Sequence, residues 1–419
     1  MQQSAIDSDN RAVLLAADIG DNAWPPEESL RELSRLAETA GIEVVTEVVQ
    51  HLHDPQPASY LGKGKLRELK EEKSTLRFNT VIADDELTPA QQRYLEALLD
   101  VQVLDRTAVI LHIFSKHARS REGRLQVEMA QYRYRLPRLS GRGVELSRLG
   151  AGINTRGPGE TKLESDRRRI HQRITDLSKD VEQVRQSRSM HRRQRRESGM
   201  PVVALVGYTN AGKSTLMSAL TGADVLSSDQ LFATLDPTTR RFALPNGQEI
   251  LLTDTVGFIQ KLPTDLVAAF RATLEEITEA DLVLHVVDAS HRQLDVQADA
   301  VDDELEILGA RDTPRVIVLN KVDLVAPERV SLIRKHFQDP IAASALTGVG
   351  LDALRSRLEK ELAAHYVDVT VLIPYAAMEY VNLFRTRGTV QREDHKADGT
   401  FISGRLPATL LPSFQAFLT

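Results

Sequence analysis

The sequence predicts an α/β protein with a small parallel α/β domain, a long helical hairpin, a second α/β domain and a small α+β domain. Short apolar runs alternate with helical patterns in the first hundred residues, and a long heptad-spaced helix follows them. A glycine-rich loop between a strand and a helix opens the third part. We expect the domains to span residues 1–104, 105–199, 200–365 and 366–419.

Composition limits the class of protein. The chain has 419 residues and 42% hydrophobic content, which suffices for packed cores. Cysteine is absent, which excludes disulfides and cysteine-ligated zinc. No run approaches the roughly 18 apolar residues that span a bilayer, and the early apolar stretch lacks the features of a signal peptide. We therefore expect a cytoplasmic protein with no membrane span, and we expect a monomer.

In the first domain, four short apolar runs predict buried strands at residues 11–19, 42–50, 79–84 and 101–104. Helical patterns lie between them at residues 28–40, 63–75 and 89–99. The last helix follows Thr88 and Pro89, a good N-cap residue and a proline at the first helical position. Regular alternation of strand and helix predicts a parallel sheet.

The second part reads as two helices. Residues 105–137 predict a continued helix that "LPRLSGRG" breaks, and a second long helix ends near Arg196. The second helix carries an apolar heptad seam at Leu163, Ile170, Ile174, Leu177, Val181 and Val184. The first helix offers a partner seam at Leu125, Met129, Tyr132 and Leu136. We expect a hairpin joined by the glycine-rich loop at 149–165.

The net charge of −6 conceals a strongly basic segment. Residues 117–199 hold 21 Lys and Arg against 10 Asp and Glu, whereas the remainder holds 32 against 49. A cationic arm on an acidic protein is typical of contact with a polyanion such as RNA. A solvated helical surface would look the same, and charge alone does not decide between the two.

The third part opens with a phosphate-loop motif. A buried strand at Val202–Val206 precedes "GYTNAGKS", and an apolar helix follows it. Backbone N–H groups of such a loop surround phosphate oxygens, and the helix N-terminus adds its positive end. Lys213 is expected to bridge the β- and γ-phosphates, and the Ser214 hydroxyl is expected to bind Mg²⁺.

Two further motifs lie at predicted strand ends. "ILLTDTVG" ends in Asp254, the acid expected to hold Mg²⁺ through water, and in Gly257, whose N–H would meet the γ-phosphate. "RVIVLNKVD" ends in Asn320, Lys321 and Asp323, and a carboxylate there accepts from both guanine N1–H and N2–H. Adenine lacks that donor pair, so the sequence predicts GTP rather than ATP as the ligand.

The loop "AASAL" fits a backbone contact to guanine O6 near Ser344 and Ala345. A switch threonine is expected among Thr234, Thr238 and Thr239, because a threonine there joins the Mg²⁺ shell only while the γ-phosphate is present. The expected nucleotide contacts are Gly207, Tyr208, Thr209, Asn210, Ala211, Gly212, Lys213, Ser214, Thr215, Asp254, Thr255, Val256, Gly257, Asn320, Lys321, Val322, Asp323, Ser344, Ala345 and Leu346.

The last part predicts a β-α-β-β-α order. "VDVTVLIPY" (367–375) reads as a strand and 376–387 as a helix. Residues 389–406 predict a hairpin that turns at Asp398-Gly399, and 408–418 predict a final helix. This order is typical of a small α+β domain.

Together, "GYTNAGKST", "FATLDPTTR", "DTVGF", "HVVDAS", "NKVD" and "SAL", preceded by "GPGETKLESDRRRI", resemble the HflX family of ribosome-associated GTPases. "YLGKGK" and "EGRLQVEMAQ" extend the resemblance over nearly the whole chain. One departure is visible in the loop "GAGINTRGPGE", where the family usually reads closer to "GGRGEGE".

The resemblance implies a P-loop GTPase domain and a partner in the large ribosomal subunit and its rRNA, with no DNA partner. It implies that the GTP form separates or rescues stalled ribosomes, notably in heat stress. It makes Thr234 the switch threonine and places Phe258 where a water-orienting glutamine is usual. We therefore expect slow hydrolysis by the protein alone and stimulation by the ribosome. The rRNA contacts are expected at Arg167, Arg168, Arg169 and Arg173.

Asn210 has two interpretations. Similar GTPases use an asparagine at this loop position to help hold K⁺ beside the phosphates, and the alternative is that Asn210 only stabilises the turn.

Two other function classes stay open: a GTPase that accompanies RNA modification, and a module that sequesters partner proteins with GTP as a timer. The first is disfavoured because the chain has no cysteine and no pocket motif for a methyl or carbon donor.

Overall fold

Three β-sheets organise the computed structural model, which describes residues 10–20, 24–139, 158–197, 200–222, 231–262, 274–363 and 366–419. Within these ranges, no helix is both long and apolar enough to cross a membrane. The residues gather into two compact units. One contains the N-terminal sheet, and segments 231–235 and 260–262 belong to it; the other contains the remaining two sheets.

The N-terminal sheet has four parallel strands, as predicted, and their order is β2-β1-β3-β4. The strands are β1 Arg11–Asp18, β2 Glu43–His51, β3 Thr80–Ala83 and β4 Gln102–Asp105. The helices between them are α1 Pro26–Ala40, α2 Lys63–Leu76 and α3 Pro89–Leu99. Thr88 caps α3 in a reciprocal arrangement with Gln91, which fixes where the helix begins.

The predicted continuous helix over 105–137 is wrong. The chain forms α4 Arg106–His117 and α5 Arg121–Arg138, with a break between them. Ser120 causes the new start, because its side chain accepts a hydrogen bond from the Gly123 N–H at 2.9 Å. Asp105 caps α4 in the same way through the Ala108 N–H.

The long basic helix is α6 Pro158–Glu197, which contains 40 residues. It contacts α5 where the Ser178 hydroxyl lies 3.5 Å from the Met129 sulfur. Of the predicted seam residues on α6, Leu177 is fully buried, whereas Ile170, Ile174, Val181 and Val184 are half-buried. Residues 149–157 of the predicted glycine-rich loop lie outside the described residues, and its remaining part, 158–165, is not a loop but the beginning of α6. The side chain of Leu163, the first seam residue, is likewise outside them.

The central sheet has six strands in the order β10-β9-β8-β5-β7-β6, and only β6 runs antiparallel to its neighbour. Its strands are β5 Val202–Val206, β6 Thr238–Ala243, β7 Glu249–Asp254, β8 Leu282–Asp288, β9 Arg315–Asn320 and β10 Ile341–Ala342. The labelled helices around it are α7 Lys213–Thr221, α8 Leu294–Ile307, α9 Pro327–Ile333 and α10 Leu351–Ala363.

The C-terminal sheet is antiparallel, in the order β11-β13-β12, with strands β11 Tyr366–Ile373, β12 Thr389–Lys396 and β13 Gly399–Pro407. Helix α11 Met378–Arg387 packs on one face. The predicted single helix over 408–418 is wrong. The chain forms two 3₁₀ turns around a short helix, α12 Leu411–Phe414. Pro412 has no N–H to donate to the carbonyl oxygen of residue 408, so it interrupts a continuous helix while it fits the first turn of α12.

Candidate guanine nucleotide site

The phosphate loop follows β5 and leads into α7, so its backbone and the helix N-terminus lie at the carboxyl edge of the central sheet. Gly207 has φ 153°, and a Cβ there would lie 2.2 Å from the Val286 carbonyl oxygen. Gly212 has φ 90°, and a Cβ there would lie 2.3 Å from the side-chain nitrogen of Asn320. Both positions therefore require glycine, as the motif implied.

Lys213 is buried at the first position of α7, and its ammonium donates to the carbonyl oxygens of Gly207 and Tyr208, both at 3.0 Å. Burial lowers the pKa of Lys213 to about 8, although the nearby Asp254 carboxylate acts in the opposite direction. The hydrogen-bond partners of the ammonium inside the loop are thus neutral carbonyl groups. Phosphate oxygens would supply negative charge to balance it there.

Two of the three residues expected at the magnesium ion, Ser214 and Asp254, are hydrogen-bonded to one another. The Ser214 hydroxyl donates to the Asp254 carboxylate at 2.7 Å, and Asp254 ends β7 with 1% of its surface exposed. Both side chains offer oxygen ligands, which Mg²⁺ prefers together with phosphate oxygens. This donor set fits the ion.

The turn after β7 lies directly against the phosphate loop. The Phe258 N–H donates to the Gly207 carbonyl oxygen at 3.1 Å, and the Thr209 N–H donates to the Phe258 carbonyl oxygen at 2.7 Å. A Cβ on Gly257 would lie 2.9 Å from both the Lys213 ammonium and the Thr209 Cα. The Phe258 side chain is 2% exposed and apolar, so it offers a water molecule no hydrogen bond.

The structure separates the three threonines of the switch segment. Thr238 and Thr239 lie in β6, where Thr239 shares a hydrogen bond with Thr253 at 3.0 Å. Thr234 precedes the strand and is partly exposed. Residues 223–230, which connect α7 to this segment, are outside the described residues. Thr234 therefore stays the predicted switch residue.

On the base side, Asn320 connects two loops. Its side-chain nitrogen donates to the Ala211 carbonyl oxygen at 2.9 Å, and its side-chain oxygen accepts from the Ala345 N–H at 3.0 Å. A contact from Ala345 to guanine O6 would compete with this second bond. Asp323 lies in a 3₁₀ turn beyond β9 and is exposed, as a carboxylate that binds a ligand must be.

Some predicted contacts are committed to the fold. The Thr255 hydroxyl donates to the Leu205 carbonyl oxygen at 2.6 Å and is fully buried, which leaves only its backbone for a ligand. The Ser344 hydroxyl accepts from the Thr347 N–H at 3.1 Å. Leu346 is 81% exposed, and Asn210 has a left-handed backbone with φ 61°. Asparagine tolerates that conformation well, which agrees with the turn-stabilising interpretation of Asn210.

Sequence reasoning missed an ion pair at the edge of this site. The Lys321 ammonium lies 2.8 Å from the carboxylate of Asp288, the last residue of β8. Asp288 ends a buried strand next to β9. That position could have marked it as a site residue in the sequence, because ligand sites gather at the carboxyl ends of parallel strands.

It also missed anchors in the unit that contains the N-terminal sheet. The Lys261 ammonium binds Asp84 and Asp85, both at 2.5 Å. The Phe232 ring packs edge-on against Phe114, with 4.6 Å between ring centroids. Phe232 is the first residue of "FATLDPTTR", and Lys261 lies three residues after "DTVGF". Nothing in their spacing indicated these partners.

The predicted rRNA residues lie on α6. Arg167, Arg168 and Arg169 are exposed, and Arg168 makes an exposed ion pair with Glu164 at 3.6 Å. Arg173 instead pairs with Glu128 of α5, at 2.9 and 3.0 Å.

Comparison with known proteins assigns the chain to a family. Residues 27–115 match the family model described as GTP-binding GTPase N-terminal, and residues 117–195 match GTP-binding GTPase Middle Region. Residues 202–321 match the model described as 50S ribosome-binding GTPase.

Similar proteins include GTPase HflX of Caldanaerobacter subterraneus subsp. tengcongensis, 46% identical over 100% of this chain and 96% of that protein. GTPase HflX of Escherichia coli is 40% identical over 89% of this chain and 88% of that protein. A solved GTP-binding protein of Sulfolobus solfataricus with GDP is 24% identical, with a TM-score of 0.44, over 85% of this chain and 99% of that one. Identity at these levels over nearly the full length, together with the phosphate-loop geometry, shows that the chain belongs to the HflX family and is a P-loop GTPase.

Proposed function

We propose that this GTPase binds the large ribosomal subunit in its GTP form, separates or rescues stalled ribosomes, and hydrolyses GTP to GDP when that partner stimulates it. The observation that carries the proposal is the match of residues 202–321 to a family described as 50S ribosome-binding. The strongly basic segment at 117–199 supports an rRNA partner. Such a partner implies a cytoplasmic protein.

The chain's own residues have distinct roles in this proposal. Lys213 bridges the β- and γ-phosphates, and the Gly257 N–H donates to the γ-phosphate. Ser214 and Asp254 would hold Mg²⁺, which would supply positive charge beside the phosphates. The Thr234 side chain would be held at this site only while the γ-phosphate is present, and its segment would be released after hydrolysis.

Phe258 makes the free enzyme an incomplete catalyst. In-line attack needs a positioned water, and the residue at the usual glutamine position is a buried phenylalanine whose backbone pairs with the phosphate loop. A missing catalytic group supplied by a partner accelerates related enzymes by roughly 10³–10⁵. We infer that the ribosome completes this site.

The RNA contact is proposed for α6. Arg167, Arg168 and Arg169 are exposed on this helix and are available to phosphates. Arg173 would have to exchange its ion pair with Glu128 for a phosphate, which makes it the weakest of the four candidates.

Single-turnover GTP hydrolysis with and without purified large subunits tests the proposal. We expect slow turnover alone and at least about a thousandfold acceleration by large subunits, which is the lower end of the range for a supplied catalytic group. Small subunits at the same concentration control for nonspecific RNA. Equal rates with and without large subunits would refute the proposal.

The same assay decides the role of Asn210. If Asn210 helps to hold K⁺ beside the phosphates, replacing K⁺ by Na⁺ at constant ionic strength lowers the rate. Unchanged turnover in Na⁺ leaves Asn210 as a residue of the loop turn, in keeping with its left-handed backbone.

A further inference from the structure

The ion pair between Asp288 and Lys321 is well placed to affect the nucleotide. The pairing of β8 with β9 sets Asp288 beside Asn320, so that Lys321 follows directly at the carboxyl edge. The Lys321 ammonium lies 2.8 Å from Asp288 Oδ2, and the two side chains are only 24% and 13% exposed. Partial shielding from water makes such a pair stronger than a fully exposed one.

The Asp288 carboxylate has a fixed orientation. Its Oδ1 accepts from the Ser290 N–H at 2.9 Å and from the Ser290 hydroxyl at 2.5 Å. The next residue is also fixed, since the Ala289 N–H donates to the Asn320 carbonyl oxygen at 2.9 Å. Oδ2 is therefore directed at Lys321 by the strand end and the turn that follows it.

Lys321 is constrained along its whole length. Its backbone has φ 61°, a left-handed conformation that residues other than glycine rarely adopt. Its Cε lies 3.9 Å from the place that a Cβ on Gly212 would occupy. The methylene stem thus passes beside the end of the phosphate loop, and Asp288 holds the far end of the side chain.

We propose that Asp288 is a positioning residue for guanine nucleotide binding: it holds Lys321 extended beside the phosphate loop before the nucleotide arrives. This rests on the proposed nucleotide contacts of Lys321 and Asp323. A lysine side chain has several rotatable bonds, and ordering them in advance lowers the entropy cost of binding. Asp288 acts through Lys321, so GDP and GTP are affected equally.

The test is the dissociation rate of fluorescently labelled GDP from the full chain carrying Asp288→Asn. Asparagine keeps an oxygen that accepts from Ser290 but removes the charge that holds Lys321. We expect dissociation about fivefold faster, with the same factor for a labelled non-hydrolysable GTP analogue. Asp352→Asn is the matched control, because it removes an exposed pair with Arg355 from the same compact unit and should leave the rate unchanged.

A double-mutant cycle separates positioning from a structural effect. Lys321→Met keeps an unbranched stem without the charge, and in that background Asp288→Asn should add nothing. Asp288→Glu keeps a carboxylate and should recover most of the wild-type rate. Independent, multiplicative effects of the two substitutions would overturn the proposal, as would a wild-type rate in Asp288→Asn.

The thermal midpoint of each nucleotide-free variant provides a readout of folding. A large fall in the midpoint of Asp288→Asn that Asp288→Glu does not restore would show a structural role and overturn the proposal. Failure of the wild-type chain to bind labelled GDP would instead refute the guanine contacts themselves, and the proposal with them.

Discussion

Lys213 shows how one residue links burial to ligand chemistry. Its ammonium is enclosed by the loop that should receive phosphates, and its partners there are neutral carbonyl groups. Burial therefore lowers its pKa to about 8. Bound phosphates would restore the pKa towards the ordinary value near 10.5, because opposite charge favours the protonated form.

We predict that GDP binding takes up protons at alkaline pH. At pH 8.5 most free Lys213 is neutral, whereas the bound form is protonated, so uptake should be roughly three-quarters of a proton per GDP. Isothermal titration calorimetry in two buffers with different ionisation enthalpies measures it. Uptake should shrink towards pH 7.5, where free Lys213 is already largely charged. Uptake that stays at zero across this range would contradict the lowered pKa.

At the scale of single residues, the sequence predicted which residues form the site better than it predicted which residues they contact. Gly207, Gly212, Ser214 and Asp254 were recognisable because each motif fixes residue type and spacing at a strand end. The partner of Lys321 was not, because it depends on which strand lies beside β9 and in what register. The burial of the Phe258 side chain also follows from packing rather than from spacing.

At the scale of elements, one guanidinium connects three pieces of the N-terminal domain. Arg106 of α4 is 1% exposed and binds Glu32 of α1 and Asp84 after β3, both at 2.6 Å. Burial raises the pKa of Asp84, but Arg106 and Lys261 outweigh that effect and hold it below its usual value. Asp84 therefore stays charged in its buried position because these two cations lie beside it.

Arg106→Met should strongly destabilise this domain. Glu32 would lose its buried guanidinium partner, and Asp84 would keep Lys261 and the Ser29 hydroxyl but lose the buried cation, which costs about 3–5 kcal/mol. Urea unfolding followed by the fluorescence of Trp24 measures it, because Trp24 is the only tryptophan and is buried in the same domain.

Arg31→Met is the matched control on α1. It removes an ion pair with Glu28 in which Arg31 is 58% exposed, so the change should stay below about 1 kcal/mol. Equal midpoints for Arg106→Met and the wild type would show that the buried pairs contribute little.

Element positions in the N-terminal domain were predictable because strands and helices alternate regularly there, and because Thr88 and Pro89 mark where α3 begins. Two helices were not predicted correctly. The α4–α5 break depends on a single serine cap, and the C-terminal segment depends on one proline. In both places the apolar pattern continued across the break, so periodicity alone favoured one helix.

For the whole molecule, the dominant feature is the separation of charge. The 117–199 segment is basic, and α6 carries much of it in a helix of 40 residues, about 60 Å long at 1.5 Å per residue. The rest of the chain is acidic. Neutralising rRNA phosphates releases counterions, so affinity should fall steeply as salt rises.

Replacing Arg167, Arg168 and Arg169 by glutamine should flatten that dependence. Each lost phosphate contact lowers the slope of log affinity against log salt by about 0.9 on a duplex. Binding of the GTP-analogue form to large subunits, measured over a salt series, gives the slope. The control likewise replaces Arg329, Arg334 and Lys335, which lie outside the basic 117–199 segment, and it should keep the wild-type slope. An unchanged slope in the α6 variant would show that these arginines do not meet rRNA phosphates.

The amide of Asn320 braces the phosphate loop with one atom and the base-side loop with another. Both bonds are already formed without a nucleotide, so the loops that would receive the phosphates and the base are held at a fixed spacing. An intact nucleotide would meet both loops at once, whereas guanosine and pyrophosphate offered separately would each lose their own translational freedom, so the joint affinity should exceed what the fragments suggest.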